Sequence, residues 1–363
     1  MNILMVGNGF DLAHGIPTDY MSFLDFLKIL SSPEVYQNNL RSFRSLVQRS
    51  ELCNKHESIK QFLQNASQNT GDRYALELLG LIKDNVWIEY LTHLRMSSKN
   101  WVDFEGEISN VIQVIDLDDE DLNIRNVPKN VKNDFRGTLE KMNISDLAAP
   151  QKRDRLIERL LLDLNKLIRC LEIYLCLCLK LVTIQSELSH VNSIINDSGI
   201  DAVLSFNYTN LFEMKYENIL LKKPSYCYIH GKAKLNNDID GNSMVLGIDE
   251  YLEEPARSEK VDFVVFKKYY QRIFKQTDFD YTNWIEAPGP KNLYIIGHSL
   301  DVTDCDVLRE LILHQDVKTT IFYHSRKANG KQIANLVKVL GYNDLNTLSR
   351  GKDKTRSITF EEL

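Results

Sequence analysis

The chain has 363 residues, room for one large domain or for two. Its 43% hydrophobic and 26% charged residues are globular proportions and exclude a disordered chain. A formal net charge of −6 argues against wholesale binding to nucleic acid or an anionic membrane. The basic spots at Lys222-Lys223, at Lys267-Lys268 and from Arg350 to Arg356 are short enough to be solvated faces.

Met1 to Val6 is apolar but lacks a basic leader and runs straight into a glycine motif, so no cleaved signal peptide is expected. It reads as a short buried strand, Ile3 to Val6, followed by a glycine turn and a helix from Tyr20 to Leu30. The middle of the chain, to about Asn196, has mostly helical patterns. Its clearest helix is Gln151 to His190, where Leu156, Leu160, Leu164, Leu167, Leu171, Tyr174 and Leu175 recur at three- and four-residue spacing. Connectors at Asp116 to Asp121 and Val127-Pro128 interrupt this region. The most apolar stretch, Leu160 to Ile184, is broken by Asp163, Lys166, Arg169, Glu172 and Lys180, so no membrane span is expected and the cytoplasm is the expected compartment. Six cysteines include no C-x-x-C pair, and buried thiols rather than a metal centre are expected.

After Gly199 short strands are expected at Ala202–Phe206, Tyr226–Ile229, Met244–Leu246, Leu293–Ile296 and Thr319–Tyr323, with a helix from Asp304 to His314. Strands alternating with helices predict an α/β fold, Rossmann-like, with a largely parallel sheet that the first strand joins. The expected organisation is a nucleotide-binding core from 1–30 and 197–345, a large helical insertion at 31–196 and a C-terminal tail at 346–363.

Four motifs fall where these strands end. Gly7-Asn8-Gly9-Phe10-Asp11 permits a tight turn and close backbone approach to a phosphate, although Leu12 stands where a dinucleotide fingerprint has its third glycine. A tight turn without ligand is the alternative. Asn207, in Ser205-Phe206-Asn207-Tyr208-Thr209, offers an amide that can orient a sugar hydroxyl or a water, or else forms a turn or helix cap with Thr209. His230-Gly231 supplies a base that works near neutral pH beside a residue that lets substrate approach, or a structural histidine. Gly297-His298-Ser299-Leu300 either binds a ribose or phosphate, or makes Ser299 a nucleophile on an elbow whose last glycine is replaced by Asp301. A fifth group, Trp101 to Glu107, carries Asp103 and Glu105 as candidates for metal or acid–base chemistry, or as helix-terminal charges.

Together Gly7 to Pro17, Trp101 to Glu105, Ser205 to Thr209, His230-Gly231 and Gly297 to Leu300 resemble the bacterial abortive-infection family AbiH. That resemblance implies a role in bacteriophage defence. The same motifs are similar in order to those of the sirtuin-type NAD-binding fold: a glycine turn followed by His14-Gly15-Ile16-Pro17, then an asparagine motif, a histidine–glycine pair and a G-x-S-L loop. This wider likeness implies NAD as substrate, with Asn207 and His230 catalytic. It also implies that Gly7, Asn8, Gly9, Phe10, Asp11, Gly231, Gly297, His298 and Ser299 line the nucleotide site. Asp11 would contact the ribose, orient His230 or cap a helix. No four-cysteine zinc module follows the histidine, which disfavours protein deacylation, and no metal is expected. Thr209 stands where the sirtuin motif has aspartate. The expected activity is cleavage of the nicotinamide–ribose bond on infection, with a homo-oligomer or a defence-system partner and a phage-derived trigger. The alternatives are a nucleotide-sensing protein without turnover and a hydrolase or nuclease using Asp103, Glu105 or Ser299.

Overall fold

The structure, a computed structural model, describes residues 1–32, 35, 42–69, 71–96, 103–117, 149–180, 188–250, 263–277, 279–350 and 357–363. Trp101, Val102, most of the expected connectors and the basic stretch 351–356 lie outside the described residues. Two compact units are formed: Met1–Ile16, Val182–Lys232 and Gln276–Leu363 make the first, and Pro17–Leu181 with Ala233–Lys275 the second.

Among the described residues the first unit is built on six parallel strands: β1 (Asn2–Val6), β2 (Ala202–Ser205), β3 (Ser225–Tyr228), β4 (Lys291–Ile296), β5 (Val317–Tyr323) and β6 (Ser357–Glu362). Their order across the sheet is β3-β2-β1-β4-β5-β6, and every pairing is parallel. Strand β1 reads as a continuous apolar run because both its faces are covered, as parallel sheets require. Ile3 and Met5 point into a core shared with Leu204, Cys227, Leu293, Ile295 and Ile321, against Val307, Leu311, Leu336, Val339 and Leu345 from the following helices. Leu4, Val6, Val203 and Ile296 are buried on the opposite face. There His190, on the helix Ser189–Ser198, meets the ring of Phe322 at 6.4 Å.

The second unit is helical. Leu156, Leu160, Leu164, Leu167, Leu171 and Tyr174, spaced at three and four residues, are all buried along the helix Ala149–Leu179. Trp87 Nε1 donates to the Leu160 carbonyl (2.9 Å), and Phe23 and Phe26 pack on the Tyr174 ring. Among the described residues no helix is long and apolar enough to cross a membrane.

Several expectations differ from this architecture. The helix Tyr20–Leu30 forms as expected but packs with the helical unit rather than the α/β unit, as does 233–275. The expected tail at 346–363 contains β6, a sheet-edge strand whose Ile358 turns into the core while its neighbours face outward. Met244–Leu246 is not a strand. The side-chain amide of Gln271 takes its place as a partner, accepting from Leu246 N–H and donating to the Leu246 carbonyl, each at 3.1 Å.

Candidate functional site

The strand order reverses direction between β1 and β4, and the loops leaving their carboxyl ends are pressed backbone against backbone. Gly7 N–H donates to Ile296 O (3.1 Å) and Gly9 N–H to Gly297 O (2.8 Å). A Cβ at Gly7 would lie 2.7 Å from His298 Cα, and one at Gly9 would lie 2.9 Å from Gly297 Cα. At Gly297, where φ is +69°, a Cβ would fall 2.1 Å from the Phe10 nitrogen. The three glycines are therefore required by the crossing itself, whatever binds there. Phe10 N–H is likewise held, by Gly7 O at 2.8 Å. On the rim of these loops Asn8 and Ser299 are exposed.

Beside the crossing, β2 ends in the loop that carries Asn207. Ser205 Oγ takes the Asn207 N–H and donates back to the Asn207 carbonyl, which makes the turn and frees the amide side chain to point inward. Its Nδ2 donates both to Gly7 O and to Asp11 Oδ1, each at 2.9 Å. Thr209 Oγ1 donates to Asp11 Oδ2 at 2.6 Å. Asp11 is 1% exposed. Burial pushes its carboxyl up to about 7, against the lowering effect of the bonds from Thr209 and Asn207. So Asn207 and Thr209 act on Asp11 rather than capping a helix, and Asp11, lying within the helix Asn8–Ala13, is not an N-cap.

A second cluster gathers at the ends of β3 and β4. His230, just after β3, places Nε2 3.0 Å from Asp304 Oδ1, and His298 Nε2 lies 3.5 Å from Asp304 Oδ2. The ring of Phe206 meets both imidazoles edgewise, 5.5 Å from His230 and 4.4 Å from His298. The loop holding His298 is fixed by the helix Arg326–Leu340: Gln332 donates to His298 O (3.1 Å) and Asn335 to Ser299 O (2.9 Å). Leu300 N–H donates to His298 Nδ1 (2.9 Å), and Leu300 itself is buried at φ +57°, a left-handed conformation unusual for leucine. Gly231 follows with φ +77°.

The remaining candidates fall elsewhere or serve the fold. His14 Nδ1–H donates to Phe10 O (2.7 Å), while its Nε2 accepts from Tyr216 Oη (2.8 Å). Burial lowers its pKa, so it is a neutral structural histidine. Glu105 is ion-paired with the buried Lys268 at 2.8 Å, and Glu107 accepts from Tyr90 Oη at 2.9 Å, both within the helical unit. His298 turns towards Asp304 and Leu300, while Ser299 is exposed on the same loop. Among the described residues no group of three His, Cys, Asp or Glu is placed to hold a metal ion. Asp304 escaped sequence reading. It stands seven residues after Gly297, at the start of a helix, where an acid is ordinarily read as a terminal charge.

A parallel sheet in the order 3-2-1-4-5-6, with polar side chains collected on the loops at its carboxyl ends, defines an α/β protein of doubly wound topology. Residues 3–324 match the family described as Bacteriophage abortive infection AbiH, and the chain belongs to that family. The family description gives it a role in abortive infection, the bacterial defence against phage. No curated protein and no solved structure matches the chain.

Proposed function

We propose that the chain acts in abortive infection by binding NAD, or a related dinucleotide, at the carboxyl edge of its parallel sheet and cleaving the nicotinamide–ribose bond. The observation that carries this reading is the strand order, which sets Gly7, Asn207, His230 and Gly297 on the carboxyl ends of adjacent strands about the point of reversal. In open α/β sheets ligands bind in that crevice. Asn8 and Ser299, exposed on the two switch-point loops, are the side chains a dinucleotide meets first.

In this reaction the bond from C1′ of the ribose to the pyridinium nitrogen breaks, and its electron pair neutralises the ring, which leaves as nicotinamide. Oxocarbenium charge develops on the ribose, as in glycoside hydrolysis. Water adds to C1′ and releases a proton, giving ADP-ribose. Both Nδ2 hydrogens of Asn207 are committed to Gly7 and Asp11, so Asn207 acts through Oδ1, which accepts from the water or a ribose hydroxyl. His230 takes the proton. Because unrestrained NAD loss would harm the host, activity awaits a phage-derived trigger, and the helical unit is the natural place for contacts with a second copy or a defence partner.

A second reading is nucleotide sensing without turnover. It is favoured by the engagement of the Gly9 and Phe10 amides and of both Asn207 amide hydrogens within the chain. Cellular NAD, followed after phage infection with wild type, Asn207→Ala or His230→Ala, separates the two. The expected result is NAD collapse with wild type alone. Steady NAD together with working defence in all three would overturn cleavage in favour of sensing.

A further inference from the structure

Resting on the reading of His230 as the base, we propose that Asp304 holds His230 in its Nε2–H tautomer and is itself held by His298, so that Nδ1 of His230 is the atom that accepts the proton. A backbone N–H can only donate, so Leu300 N–H fixes His298 Nδ1 as an acceptor. The hydrogen of neutral His298 is therefore on Nε2, which faces Asp304 Oδ2 at 3.5 Å. An ionised carboxylate only accepts, so His230 Nε2, 3.0 Å from Oδ1, must be the donor there. The lone pair of His230 is left on Nδ1.

Three features keep this arrangement in register. Asp304 lies directly before the helix Cys305–Ile312, where backbone amides favour an ionised acid. Leu300 is locked in a left-handed conformation under full burial, so His298 Nδ1 keeps its donor. Phe206 stands edgewise against both imidazoles and opposes their rotation. When Nδ1 takes the proton released by water, the imidazolium charge is balanced by Asp304, which stays ionised; this is the orienting role a carboxylate plays towards histidine in hydrolytic triads. Asp304 is thus a positioning residue, and the acid suggested for that task by sequence, Asp11, is bound to Asn207 and Thr209 instead.

The test is long-range nitrogen–proton NMR of the full-length protein labelled on histidine, with His230→Gln and His298→Gln for assignment. In wild type both rings are expected to carry hydrogen on Nε2 in the neutral form. In Asp304→Asn, His298 keeps its tautomer, while the pKa of His230 drops by about one unit, a tenfold loss of proton affinity. A hydrogen on Nδ1 of His230 in wild type would overturn the proposal, and the wild-type spectrum decides this even if the variant fails to fold. A folded Asp304→Asn protein with an unchanged His230 pKa would overturn it equally. The spectra need no turnover, so the expected tautomers alongside absent NAD cleavage would defeat the enzymatic reading and leave the positioning role standing.

Discussion

Asp11 has an almost fully buried carboxyl whose pKa in the folded protein, about 7, lies well above its ordinary 3.8. Between those values the folded chain holds a proton that the unfolded chain has released. Stability therefore falls as pH rises from about 4 towards about 7 and is level beyond. Asp11→Asn removes this titration while keeping an acceptor for Thr209 or Asn207. The wild type is expected to lose more of its urea midpoint between pH 5 and pH 8 than the variant, and equal losses would refute the assignment. The glycine motif drew attention to Asp11, but its partners lie 196 and 198 residues away, a pairing no local pattern encodes.

At the scale of elements, the crossing of the β1 and β4 loops decides how tightly the site closes. Gly297→Ala adds a Cβ to a left-handed residue and drives it into the backbone at Phe10. Backbone cannot yield as a flexible side chain would, so the cost is expected to exceed the roughly 1 kcal/mol of a tolerated glycine replacement. A thermal melt of this variant is expected to show a clear loss of Tm; an unchanged Tm would mean that the loops do not cross as described. Met244-Val245-Leu246 has the composition of a strand, yet side chains meet its backbone: Asn242 Oδ1 accepts from Met244 N–H, Lys275 donates to the Met244 carbonyl, and Gln271 holds both groups of Leu246, so apolar character gave burial correctly and pairing wrongly.

At the scale of the whole molecule, distant stretches of sequence are joined by buried polar networks. Within the helical unit Arg169, fully buried, donates to Glu77 and Glu172 at 2.7 Å each and to the carbonyls of Lys234 and Leu235. Glu172 in turn accepts from Lys234 N–H, Asn237 and Asn242. The stretch 234–242 is thereby fastened to the long helix by hydrogen bonds to a buried ion pair. Arg169→Met leaves Glu172 buried without its main counter-charge, at an expected cost of about 3–5 kcal/mol. Amide exchange should quicken across 234–242, and unchanged protection there would exclude the fastening role. In the sequence, Arg169 and Glu172 read only as interruptions of an apolar run.

What the sequence determined by itself was whatever depends on neighbours along the chain. Strand β1, the helix Tyr20–Leu30 and the leucine stripe of the long helix follow from local period and burial, and the glycine, asparagine and histidine motifs stand at strand ends as read. Tertiary structure alone decided which strands are neighbours, that the last residues close the sheet as β6, and which acid meets which histidine. Those outcomes rest on contacts between residues tens to hundreds of positions apart. Hydrogen-bond donors and acceptors there find partners only once the loops have been folded onto one edge, and no periodicity records that meeting.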